Sequence, residues 1–495
     1  HMGHAYSSII ADFFARFKKI DGYDVYFLTG TDEHGLKIQR SAEKRGIETL
    51  EFCDEISETF RDLSKILNLT NTDFIRTTEE RHKKTVQHLW KELEKNDDIY
   101  LSKYSGWYSV SDEAFYNEDE IEEFDGKKIS ISSKSTVEWI EEESYFFRLS
   151  KWEKPLLDYY SSHPEFISPE SRRNEVISFV KSGLKDLSVS RKSFSWGIKV
   201  PNNDDHIIYV WLDALTNYIS ALNYPENGDG LFRKFWPASI HLIGKDILRF
   251  HAVYWPAFLL AAKIKLPLKI YGHGWILSGD EKMSKSKGNI LDPIEIINQY
   301  GLDPLRYYLI KEVSFGNDGN ISQERLEDCI NSDLANNFGN LCQRVSAFTL
   351  KNCDGIIPTK IEFKKDDLEI LDKYKNNLEK IRSEIDEQNI NFYIDYIINS
   401  LFEANKYFND QEPWKKKNNL IRLNTIVYTT LEIVRKISFL LYPIIPASSL
   451  KALKIFDLKE NDISVSSVAN NEFLTKGSKI NKIDILFTKI EKNND

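Results

Sequence analysis

The sequence predicts a doubly wound α/β domain with a parallel sheet and a small insertion, followed by an all-α helical bundle. Three observations carry this prediction. Short apolar runs alternate with helical patterns early in the chain, an aromatic and acidic segment interrupts them, and strand signals disappear late in the chain. With 495 residues, of which 41% are hydrophobic and 29% charged, the chain is long enough for about two or three domains.

The first helix is predicted by apolar positions that recur at helical spacing after His4, and Gly22 ends this pattern as a helix stop does. The apolar run at residues 25–28 predicts a strand, and a new helical pattern starts after Gly35. Ligands bind at the carboxyl ends of strands in such sheets, so residues 29–35 form a candidate binding loop.

The rest of the chain divides by composition. Residues 99–148 interleave aromatic residues with turns and acidic residues, which predicts an insertion of short strands. Strands are predicted again at residues 207–211, 240–244 and 268–271, and from residue 332 the apolar spacing predicts a helical bundle. We therefore expect two halves of an α/β domain at residues 1–98 and 149–275, an insertion at 99–148, a connecting region at 276–331 and a helical domain at 332–495.

Composition argues against several classes of protein. The net charge of -10 gives no support for nonspecific nucleic-acid binding, although it leaves a local basic groove open. The four cysteines form no CxxC pair, so neither a zinc site nor a disulfide framework is predicted. The most apolar late stretch contains Glu432, Arg435 and Lys436, which predicts a buried helix and no membrane partner.

Two short motifs fit phosphate chemistry. HMGH at residues 1–4 precedes a helix, where the histidines can donate hydrogen bonds to phosphate oxygens and Gly3 permits close approach. KMSKS at residues 282–286 follows a strand and a turn, and its lysines can neutralise a pyrophosphate leaving group. Alone, the first motif could be the remnant of an expression tag and the second an exposed basic turn. The chain has no P-loop and no complete dinucleotide fingerprint.

Found together and in this order, the motifs resemble the HIGH and KMSKS signatures of class I aminoacyl-tRNA synthetases. The resemblance is greatest to the methionyl-tRNA synthetase family and extends through nearly the whole chain. It implies a Rossmann-like fold and an ATP-dependent ligase. Such an enzyme converts L-methionine and ATP into methionyl-adenylate and pyrophosphate, then transfers methionyl to the 3′-terminal ribose of initiator and elongator methionine tRNA. Another class I synthetase, a HIGH-type nucleotidyltransferase and an inactive tRNA-binding relative are the alternatives.

The resemblance also implies site residues. The expected ATP contacts are His1, Gly3, His4, Gly244, Asp246, Gly272, Lys282, Met283, Ser284 and Lys285, among which His1, His4, Lys282 and Lys285 are the catalytic candidates. The expected methionine contacts are Asp32, which would hold the α-amino group, and the pocket residues Trp211, Ala214, Tyr218 and His251. Without the resemblance, Asp32 and Asp246 would be interpreted as helix caps, His251 as structural and Trp211 as part of a core strand.

Three residues of the helical part match the family's anticodon-binding residues. Asn340 and Arg344 are four residues apart and so share a helix face, and Trp414 could stack on an unpaired base. The alternatives are a polar pair on a helix surface and a tryptophan of the bundle core.

The chain departs from the family pattern in two places. In residues 104–113, serines stand where zinc-binding thiols would be needed, so we expect no zinc. The resemblance implies ATP with Mg²⁺ as cofactors. The insertion is also too short for the editing domain of the isoleucyl, valyl and leucyl enzymes. A first strand and its loop are expected ahead of His1. We further expect a monomer in the cytoplasm, with an organellar location left open.

Overall fold

The computed structural model describes residues 1–226, 228–279, 281–282 and 291–492. Contacts between Cα atoms divide the chain into two compact units. Unit 1 comprises residues 1–25, 66–70 and 274–495, and unit 2 comprises residues 26–65 and 71–273. The five segments expected above, and the four boundaries between them, remain a prediction.

The α-helices are α1 (Met2–Ile20), α2 (Leu36–Arg45), α3 (Thr49–Ile66), α4 (Glu80–Lys95), α5 (Glu153–Ser162), α6 (Glu170–Lys181), α7 (Val210–Leu215), α8 (Asn217–Ser220), α9 (Leu231–Phe235), α10 (Trp255–Ala261), α11 (Pro293–Tyr300), α12 (Leu302–Glu312), α13 (Gln323–Cys329), α14 (Asn340–Asn352), α15 (Lys365–Asp386), α16 (Ile390–Gln411), α17 (Leu420–Leu441) and α18 (Pro446–Leu453). Two further segments, Phe250–Tyr254 and Ile330–Gly339, are π-helical.

The strands are β1 (Leu28–Thr31), β2 (Asp73–Arg76), β3 (Ile99–Ser109), β4 (Ala114–Tyr116), β5 (Ile121–Phe124), β6 (Lys127–Ser130), β7 (Glu138–Phe147), β8 (Ile167–Ser168), β9 (Leu187–Ser188), β10 (Ser190–Arg191), β11 (Lys199–Val200), β12 (Asn203–Ile208), β13 (His241–Gly244), β14 (Ile270–His273), β15 (Ile276–Ser278), β16 (Glu281–Lys282) and β17 (Gly319–Asn320). In unit 2, β1 pairs with β2 in parallel, and β13, β14 and β8 form a parallel sheet in the order β13–β14–β8.

The first predicted strand lies further along the chain than expected. Residues 25–27 are not strand, and β1 begins at Leu28 and ends at Thr31, so the first part of the expected binding loop is strand. A Cβ atom on Gly30 would lie 2.0 Å from the Ile75 carbonyl oxygen of β2, so only glycine permits this pairing. The apolar run therefore leads into the strand, and Asp32 is the first residue after it.

The predicted strand at residues 207–211 is wrong at its end. Strand β12 stops at Ile208, and Tyr209 is the N-cap of helix α7. The aromatic residues Tyr209 and Trp211 have high β propensity, but in the structure they lie at the start of helix α7. Trp211 and Ala214 consequently lie on a helix.

The insertion is built on two long antiparallel strands and not only on short ones. β3 and β7 pair from Ile99 with Phe147 through to Tyr108 with Glu138, and β4 and β9 flank them in the order β4–β3–β7–β9. β5 and β6 form a separate hairpin.

Helix α1 is held within unit 1 by buried charges. Asp12 lies 2.7 Å from Arg16 and 2.7 Å from Arg306 of α12, and all three side chains are buried. Asp21, just after the helix, pairs with Arg382 of α15 at 2.9 Å. A buried carboxylate needs such partners, so these pairs fix both the middle and the end of α1.

The late part of unit 1 is helical, as the periodicity predicts. Helix α17 is buried from Arg422 to Leu441 except at Asn424, and it carries the buried ion pair of Glu432 with Arg435 at 2.6 Å. The predicted buried helix is confirmed. Over the residues that the structure describes, none of the helices combines the length and the apolar character that crossing a membrane requires.

Candidate active site

The carboxyl ends of the parallel strands in unit 2 carry the expected ligand-binding residues. Asp32 follows β1, Asp246 lies in the turn after β13, and Gly272 lies in β14 beside Ile243. This is where the strand-end rule for open α/β sheets expects a ligand.

Asp32 has an unusual environment for a carboxylate. Its side chain is open to solvent, yet desolvation by the surrounding protein, followed by the negative charge of Asp213, raises the pKa of Asp32 to about 6. The next residue, Glu33, is buried and fixes the loop through Arg76 at 2.9 Å and the Thr78 hydroxyl at 2.8 Å. Asp32 is thus an accessible and partly desolvated anion, which suits an ammonium ligand.

Two aromatic rings form one wall of the expected methionine pocket. The indole of Trp211 stacks on the ring of Phe250 with 3.8 Å between centroids and 7° between planes. The indole Nε1 of Trp211 is buried and finds no acceptor among the residues that the structure describes. Ala214 is buried on the same helix. The sequence did not single out Phe250, although it precedes His251 directly.

Tyr218 and His251 form a second, polar wall. The Tyr218 hydroxyl lies 2.6 Å from Nε2 of His251, and Nδ1 of His251 lies 3.0 Å from the Ile247 carbonyl. Burial lowers the pKa of His251 to about 4. The imidazole is therefore neutral near neutral pH, and this wall carries no positive charge.

His241 supports this wall and was missed in the sequence. Its imidazole stacks on Tyr218 with 3.9 Å between centroids, and its Nε2 accepts the indole proton of Trp255 at 3.2 Å. Burial, together with the neighbouring His251, holds the pKa of His241 well below its usual range. A lone histidine at the start of a strand gives no sequence signal for this role.

The expected ribose-binding residue lies in a short turn. Gly244 is the N-cap of the 3₁₀ turn Lys245–Ile247, so the interpretation of Asp246 as the cap is wrong. Asp246 is exposed, and a Cβ atom on Gly244 would lie 2.6 Å from its Oδ1. Glycine at residue 244 thus leaves room for the carboxylate of Asp246 close to the strand end.

The HMGH residues lie in unit 1 at the start of α1. His1 is the N-cap, and its Nδ1 accepts from the backbone nitrogens of Gly3 at 3.1 Å and His4 at 3.4 Å. The imidazole of His1 thus binds the first turn of the helix through Nδ1, a role that the sequence did not predict. Burial lowers the pKa of His4.

Of the KMSKS residues, only Lys282 is described. It is exposed in β16, and its Nζ lies 4.4 Å from the centre of the Trp275 ring. Met283, Ser284 and Lys285 lie outside the described residues.

The expected anticodon residues lie in unit 1, and two of them share a neighbour. Asn340 is exposed at the start of α14, and Arg344 follows one turn later. The Arg344 guanidinium lies 5.2 Å from the ring centre of Phe408, and Phe408 meets Trp414 edge to face at 6.0 Å. Trp414 is 41% exposed, so it is available for stacking and is not a core tryptophan.

The donor set of the insertion does not fit zinc. Asp112 accepts from the Ser135 hydroxyl at 2.6 Å and the Tyr116 hydroxyl at 2.6 Å, and also from Ser133. Ser109 accepts from the Asp112 backbone nitrogen at 2.9 Å. Neutral hydroxyls are weak zinc ligands, and these are engaged with each other. No cluster of three or more His, Cys, Asp or Glu side chains suited to a metal occurs within residues 1–226, 228–279, 281–282 and 291–492.

Comparisons with known proteins identify the class of the chain. A protein-family model described as tRNA synthetases class I (M) matches residues 1–124 and 126–346. Another, described as the anticodon binding domain of methionyl tRNA ligase, matches residues 357–495. The fold and these two matches thus define a class I tRNA synthetase.

Individual relatives show which family of class I synthetases the chain belongs to. The methionine–tRNA ligase of Brucella suis is 50% identical over 457 residues, covering 92% of this chain and 88% of that protein. That of Rickettsia felis is 48% identical over 501 residues, covering 99% and 96%. The solved structure of Mycobacterium tuberculosis methionyl-tRNA synthetase in complex with methionyl-adenylate is 45% identical, covers 98% of this chain and 96% of that chain, and superimposes with a TM-score of 0.95. The chain belongs to the methionyl-tRNA synthetase family, which confirms the predicted family and fold class.

Proposed function

We propose that this chain is a methionine–tRNA ligase. It activates L-methionine with ATP and transfers the methionyl group to the 3′-terminal ribose of initiator and elongator methionine tRNA. The observation that supports the choice of amino acid is that the Trp211–Phe250 stack and the neutral Tyr218–His251 pair lie side by side where the methionine pocket is expected, with the Trp211 and His251 ring centres 6.2 Å apart.

This pocket suits an unbranched thioether. A polarizable sulfur gains from contact with aromatic rings, and the stacked wall of Trp211 offers one large ring surface. The neutral His251 gives no salt bridge to an acidic side chain. Ala214, with its small side chain, leaves room for the methionine chain.

Asp32 binds the α-ammonium group of methionine in this proposal. An ion pair in a partly desolvated recess is worth more than one in water, and the ammonium relieves the repulsion that Asp32 experiences from Asp213. Binding therefore requires the ionised form of Asp32.

ATP is bound by the strand ends and by the two motifs. Gly244, Asp246 and Gly272 approach the adenosine, with the Asp246 carboxylate accepting from the ribose hydroxyls. His1, Gly3 and His4 contact the phosphates at the start of α1. Lys282, Met283, Ser284 and Lys285 contact the phosphates from the KMSKS segment. Magnesium ion, bound through the ATP phosphates, neutralises part of their charge.

The reaction has two displacement steps. A carboxylate oxygen of methionine attacks the α-phosphorus, and the bond from that phosphorus to the bridging oxygen breaks to release pyrophosphate. Lys282 and Lys285 stabilise the charge that develops on the leaving group, with His1 and His4 at the phosphates. A ribose hydroxyl of the tRNA then attacks the methionyl carbonyl, its proton passes to the departing phosphate or to water, and the bond from the carbonyl carbon to the phosphate oxygen breaks to release AMP. The enzyme acts by positioning and charge, without a covalent enzyme intermediate.

Recognition of tRNA rests on the helical domain. Asn340 and Arg344 read the edges of anticodon bases, and Trp414 stacks on one of them. We further propose that the ligase works as a monomer, needs no zinc and acts in the cytoplasm.

The deciding experiment is pyrophosphate exchange into ATP, measured with each standard amino acid in turn. We expect exchange with methionine and little with leucine or cysteine. Exchange with one of those but not with methionine would assign the chain to another class I synthetase. Methionine tRNA binding without exchange for any amino acid would point to an inactive relative.

A further inference from the structure

Asp213 is a buried carboxylate within the helix that carries the methionine pocket residues. Its Oδ2 lies 2.6 Å from Nδ1 of His34, and its Oδ1 lies 2.7 Å from Nε2 of His82. The side chain of Asp213 is 1% exposed, and both histidines are buried. Such a carboxylate is stable only when both oxygens are hydrogen bonded, and the two imidazoles provide this.

The cluster joins four elements of unit 2. His34 lies in the loop after β1, two residues beyond Asp32. Asp213 lies on α7, two residues beyond Trp211. His82 lies on α4, and its Nδ1 is 2.7 Å from the hydroxyl of Ser220, a residue of the helix α8 that also carries Tyr218. One carboxylate therefore ties together the segments that carry both ends of the expected methionine site.

We propose that Asp213, clamped by His34 and His82, is a positioning residue that holds the Asp32 loop at a fixed place against helix α7. This inference rests on the proposed function, because it assigns a role to Asp213 in binding the amino acid. Asp213 itself does not contact the substrate. It acts through Asp32 on one side and through the pocket helix on the other.

The protonation of the cluster follows from its geometry. Burial works against the charge of Asp213, but the neighbouring His34 and His82 hold its pKa at about 2, so the group is a carboxylate at neutral pH. A carboxylate only accepts hydrogen bonds, so Nδ1 of His34 and Nε2 of His82 both carry protons. The clamp is therefore two N–H donors on one anion, which is a charge-assisted arrangement.

The charge of Asp213 gives the role a specific signature. The titratable groups facing Asp213 are His34, His82 and Asp32, and those facing Asp32 are Asp213, His82, Glu33, His34 and Tyr218. Among these charges, the repulsion from Asp213 has the largest effect on Asp32 and raises its pKa. The acid limb is the fall of kcat/KM for methionine at low pH, which follows protonation of Asp32. Removing the charge of Asp213 should move this limb to lower pH, whereas removing a carboxylate that only supports the fold should leave it in place.

The first test is Asp213→Asn in the full-length chain. An amide has one acceptor atom and one donor group, so it can accept from only one histidine and must donate to the other, which that ring accepts only in its opposite tautomer. We expect the methionine KM in pyrophosphate exchange to rise about ten- to hundredfold, with the ATP KM unchanged. The acid limb should shift downward at the same time.

The histidine variants separate the hydrogen bonds from the fold. His34→Asn keeps an N–H group near the place of Nδ1, and His82→Gln keeps one near Nε2, whereas His34→Ala and His82→Ala remove the donors. The conservative pair should retain most of the methionine affinity, and the alanine pair should lose it. These variants decide the question if Asp213→Asn does not fold, as judged by circular dichroism.

Asp98→Asn is the matched control. Asp98 is another carboxylate of unit 2 that is 1% exposed, with Lys151 at 3.1 Å and the Trp152 indole nitrogen at 3.2 Å. It should leave the methionine KM and the acid limb unchanged. Asp213→Asn with the wild-type KM and limb would overturn the inference. Equal rises in both KM values with an unmoved limb would also overturn it, since that result means a structural role. In either case the proposed function stands as long as the wild-type chain catalyses pyrophosphate exchange with methionine. If the wild-type chain did not catalyse this exchange, both the proposed function and the inference about Asp213 would fail.

Discussion

Tyr218 and His251 form a hydrogen bond whose direction is fixed. Nδ1 of His251 lies 3.0 Å from the Ile247 carbonyl oxygen, which can only accept, so that nitrogen carries the proton. Nε2 of the neutral ring therefore accepts from the Tyr218 hydroxyl at 2.6 Å. The only hydroxyl proton of Tyr218 is donated to His251. The hydroxyl oxygen can therefore accept a hydrogen bond from a ligand but cannot donate one.

Tyr218→Phe should weaken methionine binding. The change removes the donor and leaves Nε2 of His251 buried without its partner, a loss of about 1–3 kcal/mol. We expect the methionine KM in pyrophosphate exchange to rise about ten- to hundredfold, with a smaller change in kcat. Tyr100→Phe, which removes the hydroxyl that donates to Asp186 at 2.5 Å in the insertion sheet, is the control and should leave KM unaltered. A Tyr218→Phe enzyme with the wild-type KM would exclude this hydroxyl from binding.

Methionine activation should decline in mild acid. Burial and the Asp213 charge raise the pKa of Asp32 to about 6, so the carboxyl is protonated below that pH and ionised above it. Because the ammonium of methionine needs the ionised form, kcat/KM should fall with decreasing pH below about 6 and be level above it. Asp32→Asn should raise the methionine KM at all pH values and abolish this limb. A limb retained in Asp32→Asn would assign the titration to another group.

Lys436 should make the folded chain more stable in mild alkali. Its Nζ is buried on α17, 2.6 Å from Oδ1 of Asn471 and 3.2 Å from the Leu371 carbonyl, and burial lowers its pKa to about 7. Between about 7 and the usual lysine value, the unfolded chain binds the proton that the folded chain does not, so stability rises with pH. The gain from pH 7 to 9 should be up to about 2–3 kcal/mol by thermal or urea unfolding.

Lys436→Met should remove that rise. Lys406→Met is the matched control, because Lys406 is exposed on α16 and pairs with Asp410 at 2.6 Å. The control should keep the pH dependence of the wild type. If Lys436→Met also kept the pH dependence of stability, the titrating group would be a different residue.

Trp414→Ala should separate charging from activation. The exposed indole is the expected stacking platform for an anticodon base, and a stack of this kind is worth about 1–3 kcal/mol. Aminoacylation of methionine tRNA should therefore lose about ten- to hundredfold in kcat/KM for tRNA, while exchange without tRNA is unchanged. Phe124→Ala removes an aromatic ring that is 68% exposed in unit 2 and should affect neither reaction. Equal loss of both activities in Trp414→Ala would make the residue structural.

The purified chain should hold no stoichiometric zinc. Asp112 and its hydroxyl partners are hydrogen bonded to one another, and this segment has serines where a zinc site would need thiols. Elemental analysis should find far less than one zinc per chain, and EDTA followed by magnesium should restore full exchange. One tightly held zinc per chain would contradict this expectation.

The parts of the site that the sequence could predict are those set by local rules. Apolar runs lead to strand ends, and the residues that follow them, Asp32 and Asp246, lie where the sheet rule places ligands. Arg344 and Trp414 both contact Phe408, as expected of residues in one binding site. The roles assigned to these residues remain predictions.

The remaining parts depend on contacts distant in sequence. Asp213 and His34 stand inside motifs that were singled out, yet their hydrogen bond joins residues 179 positions apart. His82 carries no motif at all. The role of His1 as a helix cap was missed because a histidine is an uncommon cap, and only the placed imidazole reveals its two backbone donors.

The π-helical turn at Phe250–Tyr254 has a consequence for how this pocket can change. Such a turn contains one residue more than an α-helical turn, in the manner of a single-residue insertion. Deleting one residue there would restore ordinary helical winding while the helix after the turn keeps its rotation, because the extra residue is what the wider turn accommodates. Only the residues inside the turn, Phe250 and His251 among them, would be displaced relative to Trp211 and Tyr218. The contacts expected for methionine are thus tied to chain length at one point, and remodelling by deletion is open there beside remodelling by substitution.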